Sequence, residues 1–291
     1  MSDAPADARV FDRRAVRLHR DRAAAGVSAV DDVLREVADR LLDRLDDTTR
    51  RFTAALDVGG RGVVAPMLRA RDIGVVSCDL SPRMAARNGG LAIAADEEML
   101  PFAPESFDLV VANLSLHWVN DLPGSLVQLR RALRPDGLLL ASLPALGTLD
   151  VLRSGLTGAE LDLCGGASPR VSPFAELRDC AALLQHAGFA MPVADSDELT
   201  LLYADPLALL RELRAAGEAN AVRLRDRRIP PRALFPAALA AMPQQDGRLA
   251  ARLRLAMLTG WAPSPDQRPA APRGSGRVSL AEALGRPDPA P

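Results

Sequence analysis

The chain has 291 residues, enough to bury a substantial core as one large α/β domain with additions. Its 36 basic residues nearly cancel 37 acidic ones, so no overall basic field draws nucleic acid and no acidic block suggests a polyanionic tail. All 36 are arginine, and without lysine there is no Walker A phosphate loop of the usual kind, no Schiff base and no lysine-bound pyridoxal cofactor. Cys78, Cys164 and Cys180 are scattered without C-x-x-C spacing, which points to a reducing compartment and against a disulfide framework or a structural zinc site.

In chain order, residues 10–24 and 29–46 have helical spacing. Val30, Val33, Leu34, Val37, Leu41, Leu42 and Leu45 form one stripe of the second helix. The arginines of the first are interleaved with Asp3, Asp7, Asp12 and Asp21, so this segment reads as a solvated helix and not as an acid-poor presequence. From 53 to 143 short apolar runs alternate with helical ones: strands at 54–58, 73–78, 91–95, 107–112 and 137–143, helices at 62–70, 81–87 and 122–133. Alternation of this kind predicts a mostly parallel sheet with crossover helices, and ligands of such sheets bind beyond the carboxyl ends of the strands. A looser section at 144–173 precedes a helix at 174–187 that stops at Gly188. Strands at 191–196 and 198–203 are expected to pair as an antiparallel edge hairpin. Residues 206–225 and 232–258, rich in alanine, leucine and arginine, read as helices, and the proline-rich tail from 262 as weakly ordered. The expected organisation is a helical layer at 1–50, a Rossmann-like core at 51–204, a helical addition at 205–261 and a tail at 262–291. No apolar run reaches the roughly 18 residues that span a bilayer.

Three segments carry chemistry. LDVGGRG, residues 56–62, runs a buried strand into a glycine-rich turn and a helix, the arrangement that lets backbone approach a nucleotide-like ligand. Asp79 ends the second strand, where a carboxylate can accept hydrogen bonds from both ribose hydroxyls while Ser81 serves as the N-cap of the next helix. Asp96 and Glu97 follow the third strand, where a carboxylate can meet an exocyclic adenine amine. In the third segment, FDLVVANLSLHWVNDLP at 107–123, Asn113 ends the fourth strand, with Ser115, His117 and Trp118 close behind. His117 is either a general base, since imidazole titrates near neutrality, or, lacking an acidic neighbour in sequence, a packing residue of a lid. His19, His117 and His186 show no metal-ligand spacing, so no metal site is expected.

Together LDVGGRG, Asp79, ADEEMLPF and FDLVVANLSLHWVNDL resemble the class I S-adenosylmethionine-dependent methyltransferases. More narrowly, FDRR at 11–14, LHWVNDLPGSL at 116–126, SPRVSPFAELRD at 168–179, LLQHAGF at 183–189, GEANA at 217–221 and RGSGRVSL at 273–280 resemble the methyltransferase-like assembly factors of mitochondrial respiratory complex I and their alphaproteobacterial relatives. LHWVNDLP is also similar to the biotin-pathway enzymes that methylate a malonyl-carrier protein. The resemblance implies that Asp57, Gly59, Gly60 and Gly62 form the cofactor loop, Asp79 holds the ribose, Asp96 and Glu97 lie at the adenine, and Asn113 and Leu114 lie beside the methionine moiety. It implies a protein substrate among the complex I subunits, modified by methylation or arginine hydroxylation, in the cytoplasm and at the periphery of the inner membrane during assembly. The alternatives are a malonyl-carrier-protein or small-molecule O-methyltransferase, a cofactor-dead assembly chaperone, and a nicotinamide-dependent oxidoreductase. One departure stands out: Gly59 is followed directly by Gly60, Arg61 and Gly62, one residue fewer than the family's usual loop. The turn's register fixes which amides face a ligand, so the shorter loop either weakens binding or is absorbed by the Gly-Gly pair.

Overall fold

The computed structural model describes residues 9–265 and a few positions between 274 and 285; the expected tail and the RGSGRVSL segment lie largely outside the described residues. The first strands form where the sequence places buried apolar runs. β1 (Ala54–Val58), β2 (Gly74–Asp79), β3 (Leu91–Ala94), β4 (Phe107–Asn113) and β5 (Leu133–Pro144) are all parallel and lie in the order β3-β2-β1-β4-β5. Every residue of β4 is buried, as a strand covered on both faces requires. Strand order reverses between β1 and β4, so the crevice for a ligand opens between the ends of those two strands.

Helices cover both faces. On one, α2 (Asp31–Leu42) and α3 (Val64–Arg69) pack Leu34, Val37, Leu41 and Leu68 against Ala55, Leu109, Leu138 and Met257. On the other, α5 (Leu122–Ala132) and α7 (Leu177–His186) pack Leu126, Leu129 and Leu184 against Leu56, Val110 and Leu139. The short α4 (Pro82–Ala85) follows β2, with Ser81 accepting from the Met84 amide as its N-cap. Ahead of these lies α1 (Arg13–Ala23), capped by Asp12, which accepts from the Ala15 amide. A lateral core joins α6 (Asp150–Cys164), α8 (Pro206–Ala215) and α9 (Leu234–Ala240) through Leu152, Leu156, Leu209, Leu234 and Ala238.

Three expectations are corrected. The section at 144–173 contains α6, a helix of 15 residues whose apolar face is spread through glycines and polar residues. The two strands at 191–196 and 198–203 are one, β6 (Ala190–Tyr203), with no turn between them. Residues 232–258 are helical only over α9; after the short β7 (Gln244–Gln245) the chain enters β8 (Arg248–Trp261), which lies antiparallel between β5 and β6. The antiparallel edge therefore exists, made by β8 and β6, and 205–261 is not a helical addition because its last third is inside the sheet. Local composition favours helix in this stretch, but a central slot with apolar neighbours on both faces decides the outcome. Leu255 and Met257 face the α2 side while Ala256 and Leu258 face the α7 side.

Candidate functional site

The glycine turn leaves β1 with Gly59 at φ +67°, its amide donating to the Cys78 carbonyl at 2.7 Å. A Cβ at Gly59 would stand 2.2 Å from Ser115 Cβ, and one at Gly60 2.2 Å from Asp57 Oδ2, so both positions exclude side chains. Asn88 stitches the turn, accepting from the Gly62 amide at 2.8 Å and donating to the Gly60 carbonyl at 3.1 Å. The turn is thus drawn against the segment that follows β4. Asp57, beneath it, is buried and accepts from Ser77 Oγ at 3.3 Å; burial pushes its carboxyl up to about 7.

Asp79, Asp96 and Glu97 come together at the ends of β2 and β3, but each is engaged by an arginine of α1. Arg20 Nη1 donates to Asp79 Oδ2 at 2.6 Å with both side chains fully buried, and Asp79 Oδ1 also accepts from the Ser81 amide. Arg13 Nη2 donates to Asp96 Oδ1 at 2.5 Å and to Glu97 Oε2. Burial disfavours the Arg20 charge, yet Asp79, Glu97 and Glu218 outweigh it and hold the guanidinium above its ordinary value. As a donor set the three carboxylates suit a nucleoside in kind and in place. One oxygen of each is taken by an arginine of α1.

Across the crevice Asn113 is turned away from the site: its Nδ2 donates to the Leu34 carbonyl at 2.9 Å and its Oδ1 accepts from Ser142 Oγ at 2.9 Å, tying α2 to β4 and β5. Its side chain therefore acts as a strut at the end of β4. Leu114 follows in the left-handed region at φ +50°, which points its carbonyl at Arg61 Nη2, 2.6 Å away. Arg61, buried, also donates from Nη2 to Glu218 Oε1 at 2.6 Å.

His117 does have an acidic partner, contrary to the sequence reading. Glu218 Oε2 lies 2.7 Å from His117 Nε2 and accepts from Trp118 Nε1 at 2.6 Å. Burial alone would raise the Glu218 carboxyl, but His117 and Arg61 outweigh it and hold the group well below its ordinary value. An ionised Glu218 accepts from Nε2 and so orients the ring, with Nδ1 left without a protein partner. Trp118 is covered edge-on by Phe11, with ring centroids 5.2 Å apart.

These groups border a cavity of about 150 Å³ beside the ends of β4 and β5. Its walls are largely apolar, with Val30, Leu34, Leu114, Leu152, Phe174 and Leu213 among them, and His117, Arg61 and Glu218 supply one polar side. Glu212, which accepts from Tyr203 Oη at 2.6 Å, adds a second carboxylate. Among the described residues no three His, Cys, Asp or Glu side chains are grouped to hold a metal ion. Arg13, Arg20, Arg61 and Glu218 were not singled out from sequence. Arg61 sits inside the glycine motif and Arg13 and Arg20 share one helix face seven residues apart, signals that were present; Glu218 lies in the GEANA segment, but 101 residues from His117, so its pairing with that ring is not marked.

The strand order, the antiparallel β8 and the crevice at the β1/β4 switch define a class I methyltransferase fold. Residues 56–141 match the methyltransferase domain family. The YcgJ protein of Bacillus subtilis superposes with a TM-score of 0.54 at 14% identity, covering 78% of this chain and 99% of that one. Phosphoethanolamine N-methyltransferase 2 of Haemonchus contortus, solved with S-adenosylhomocysteine, gives 0.53 at 16% identity over 86% of this chain and 60% of its own. Within that fold the chain belongs to the family of the mitochondrial arginine-hydroxylase NDUFAF5. It is 36% identical to the Danio rerio member over 285 residues, 94% of this chain and 89% of the relative, and 35% identical to the human member over 294 residues, 97% and 85%. It is also 36% identical to the malonyl-[acyl-carrier protein] O-methyltransferase of Halorhodospira halophila over 276 residues, 88% of this chain and 90% of that enzyme.

Proposed function

We propose that this chain is an S-adenosylmethionine-binding enzyme that modifies a side chain of a protein substrate during respiratory complex I assembly. The single observation that carries the reading is the cavity beside Leu114, lined by aliphatic side chains with the Glu212 carboxylate in its wall. A slot of this size and polarity suits one long side chain with an apolar stem and a cationic head, and the names of the NDUFAF5 relatives specify arginine. Asp79 would hold the cofactor's ribose, Asp96 and Glu97 its adenine, and the Gly59–Gly62 turn with the Leu114 backbone its amino-acid moiety. When bound, the cofactor supplies an electrophilic sulfonium methyl. His117, oriented by Glu218 with Nδ1 free of a protein partner, would take a proton from the acceptor, and the apolar walls exclude water from it. Glu218 acts through His117 and is a positioning residue.

A second reading, an assembly chaperone that no longer uses a cofactor, is favoured by the Arg20–Asp79 pair and the shortened turn. Mass spectrometry of complex I subunits from cells lacking this protein separates the readings. Loss of a mark of one oxygen identifies hydroxylation, loss of one methylene identifies methylation, and subunits unchanged in mass while assembly fails would leave only the chaperone.

A further inference from the structure

The carboxylates that suit a nucleoside are satisfied from within the chain, by one helix. We propose that α1 is a displaceable plug: Arg20 and Arg13 occupy the nucleoside's hydrogen-bonding partners, so ligand binding and the closed position of α1 exclude each other. The proposal rests on the reading that Asp79, Asp96 and Glu97 receive a nucleoside.

Arg13 and Arg20 lie seven residues apart, two turns of helix, and so descend from the same face of α1 onto the ends of β3 and β2. Because both contacts come from one helix face, a tilt of α1 breaks the two together. The closed contact is also one that a ligand can outcompete. Arg20 is 1% exposed and its Nε and Nη2 have no partner, so a desolvated guanidinium makes one direct ion pair, with Glu97 and Glu218 acting on it at longer range. Burying a charge in that way offsets much of the Coulombic gain. Sugar hydroxyls that donate to Asp79 would return Arg20 to water.

The two ends of the helix are held differently. Downstream, Gly26 has nothing within 4 Å of where its Cβ would be. Upstream, α1 is pinned to the 221–225 segment by the Asp12 amide on the Ala221 carbonyl at 2.8 Å and by Arg225 on Asp12 at 2.9 Å. Just ahead of that segment stand Gly217, whose Cβ would sit 3.3 Å from Arg20 Cγ, and Glu218, the partner of His117. Opening the plug therefore disturbs the group that orients His117, which links occupancy of the nucleoside site to the state of the base.

The test is calorimetric titration of the full chain with S-adenosylhomocysteine, alongside Arg20→Met and Arg13→Ala, with hydrogen exchange of the 13–23 amides followed in parallel. Arg13 is less buried than Arg20, so Arg13→Ala keeps the test open if Arg20→Met does not fold. A plug predicts that Arg13→Ala tightens binding by roughly tenfold and Arg20→Met by more, since each raises the fraction of binding-competent chain. It also predicts that α1 amides of the native chain lose protection when ligand is added. Native chain that binds while both variants bind equally or more weakly, with α1 amides gaining protection, would overturn the plug and leave the nucleoside reading standing. No heat of binding from any of the three would overturn both.

Discussion

Glu218 accepts from His117 and Trp118 on one oxygen and from Arg61 on the other, so one carboxylate fixes a ring orientation, a lid and the arginine behind Leu114. A glutamine in its place keeps the size but offers one acceptor oxygen and two donors, and cannot serve all three. Glu218→Gln should lower turnover of the acceptor by roughly a hundredfold with a much smaller change in KM, because it removes orientation of the base and not contact with substrate. Single-turnover mass spectrometry checks this, and Glu218→Asp should recover part of the loss. Asp57 bears on pH in the folded state itself. Its carboxyl is raised from an ordinary 3.8 to about 7 by burial. Its contribution to stability is therefore complete below 3.8 and is lost as pH rises towards 7. The stability advantage of Asp57→Asn over the native chain should widen across that window and stay constant above it. About 1 kcal/mol corresponds to a gain of roughly 2–4 °C in Tm for a chain of this size. Thermal scans across the pH range would sink the idea if the gap were flat. At this scale the sequence was informative where chemistry is local: Asp79, Asp96 and Glu97 stand at strand ends that apolar runs mark out. It was silent on the pairing of Glu218 with His117, since nothing in a linear spacing announces a partner 101 residues away.

At the scale of elements, β8 is where local preference and tertiary context part company. RLAARLRLAML is made of helix formers, yet Leu249, Ala251, Leu253, Leu255 and Met257 also recur with period two, with Arg248, Arg252 and Arg254 between them. Both periods are readable in those residues, and composition favours the helical one. The strand prevails because β5 and β6 each offer it a full ladder, pairing with residues 255–261 and 249–261. Leu255 is fully buried in the α2-side core, so Leu255→Ala should cost about 2–5 kcal/mol in urea unfolding. A surface helix would give a loss below about 1 kcal/mol at the same position. The parallel half was legible for the opposite reason: its strands are short, apolar on consecutive positions and separated by turn residues, so one period is available. α6 escaped because Gly155, Gly158 and Ser154 interrupt its stripe; there the backbone of Ala238 approaches Gly155 within 2.9 Å of a would-be Cβ.

Taken whole, the molecule closes its sheet with its last described element. β6 has no sheet partner other than β8 among the described residues, and the lateral core under α6 and α9 draws Leu249 and Ala251 from the same strand. The cavity depends on it too, since Leu253 of β8 and Leu201 of β6 line its wall. A helical addition at 205–261 would be separable from a finished core. A strand between β5 and β6 is not, because removing it leaves two long ladders of buried backbone donors and acceptors without partners, each comparable in cost to a lost hydrogen bond. A chain ending at residue 247 should therefore fail to fold cooperatively: its urea transition should broaden, or the protein should collect as aggregate through the exposed edge of β5. The comparison chain ends at residue 265, keeping all of β8, and should unfold in one transition with a slope close to that of the full chain. A sharp transition in the shorter chain would refute the insertion of β8. The same pair of truncations also reaches the site, since the cavity wall and the helix that carries Tyr203's partner Glu212 both lean on β6, so only the longer chain should retain any capacity to modify an acceptor.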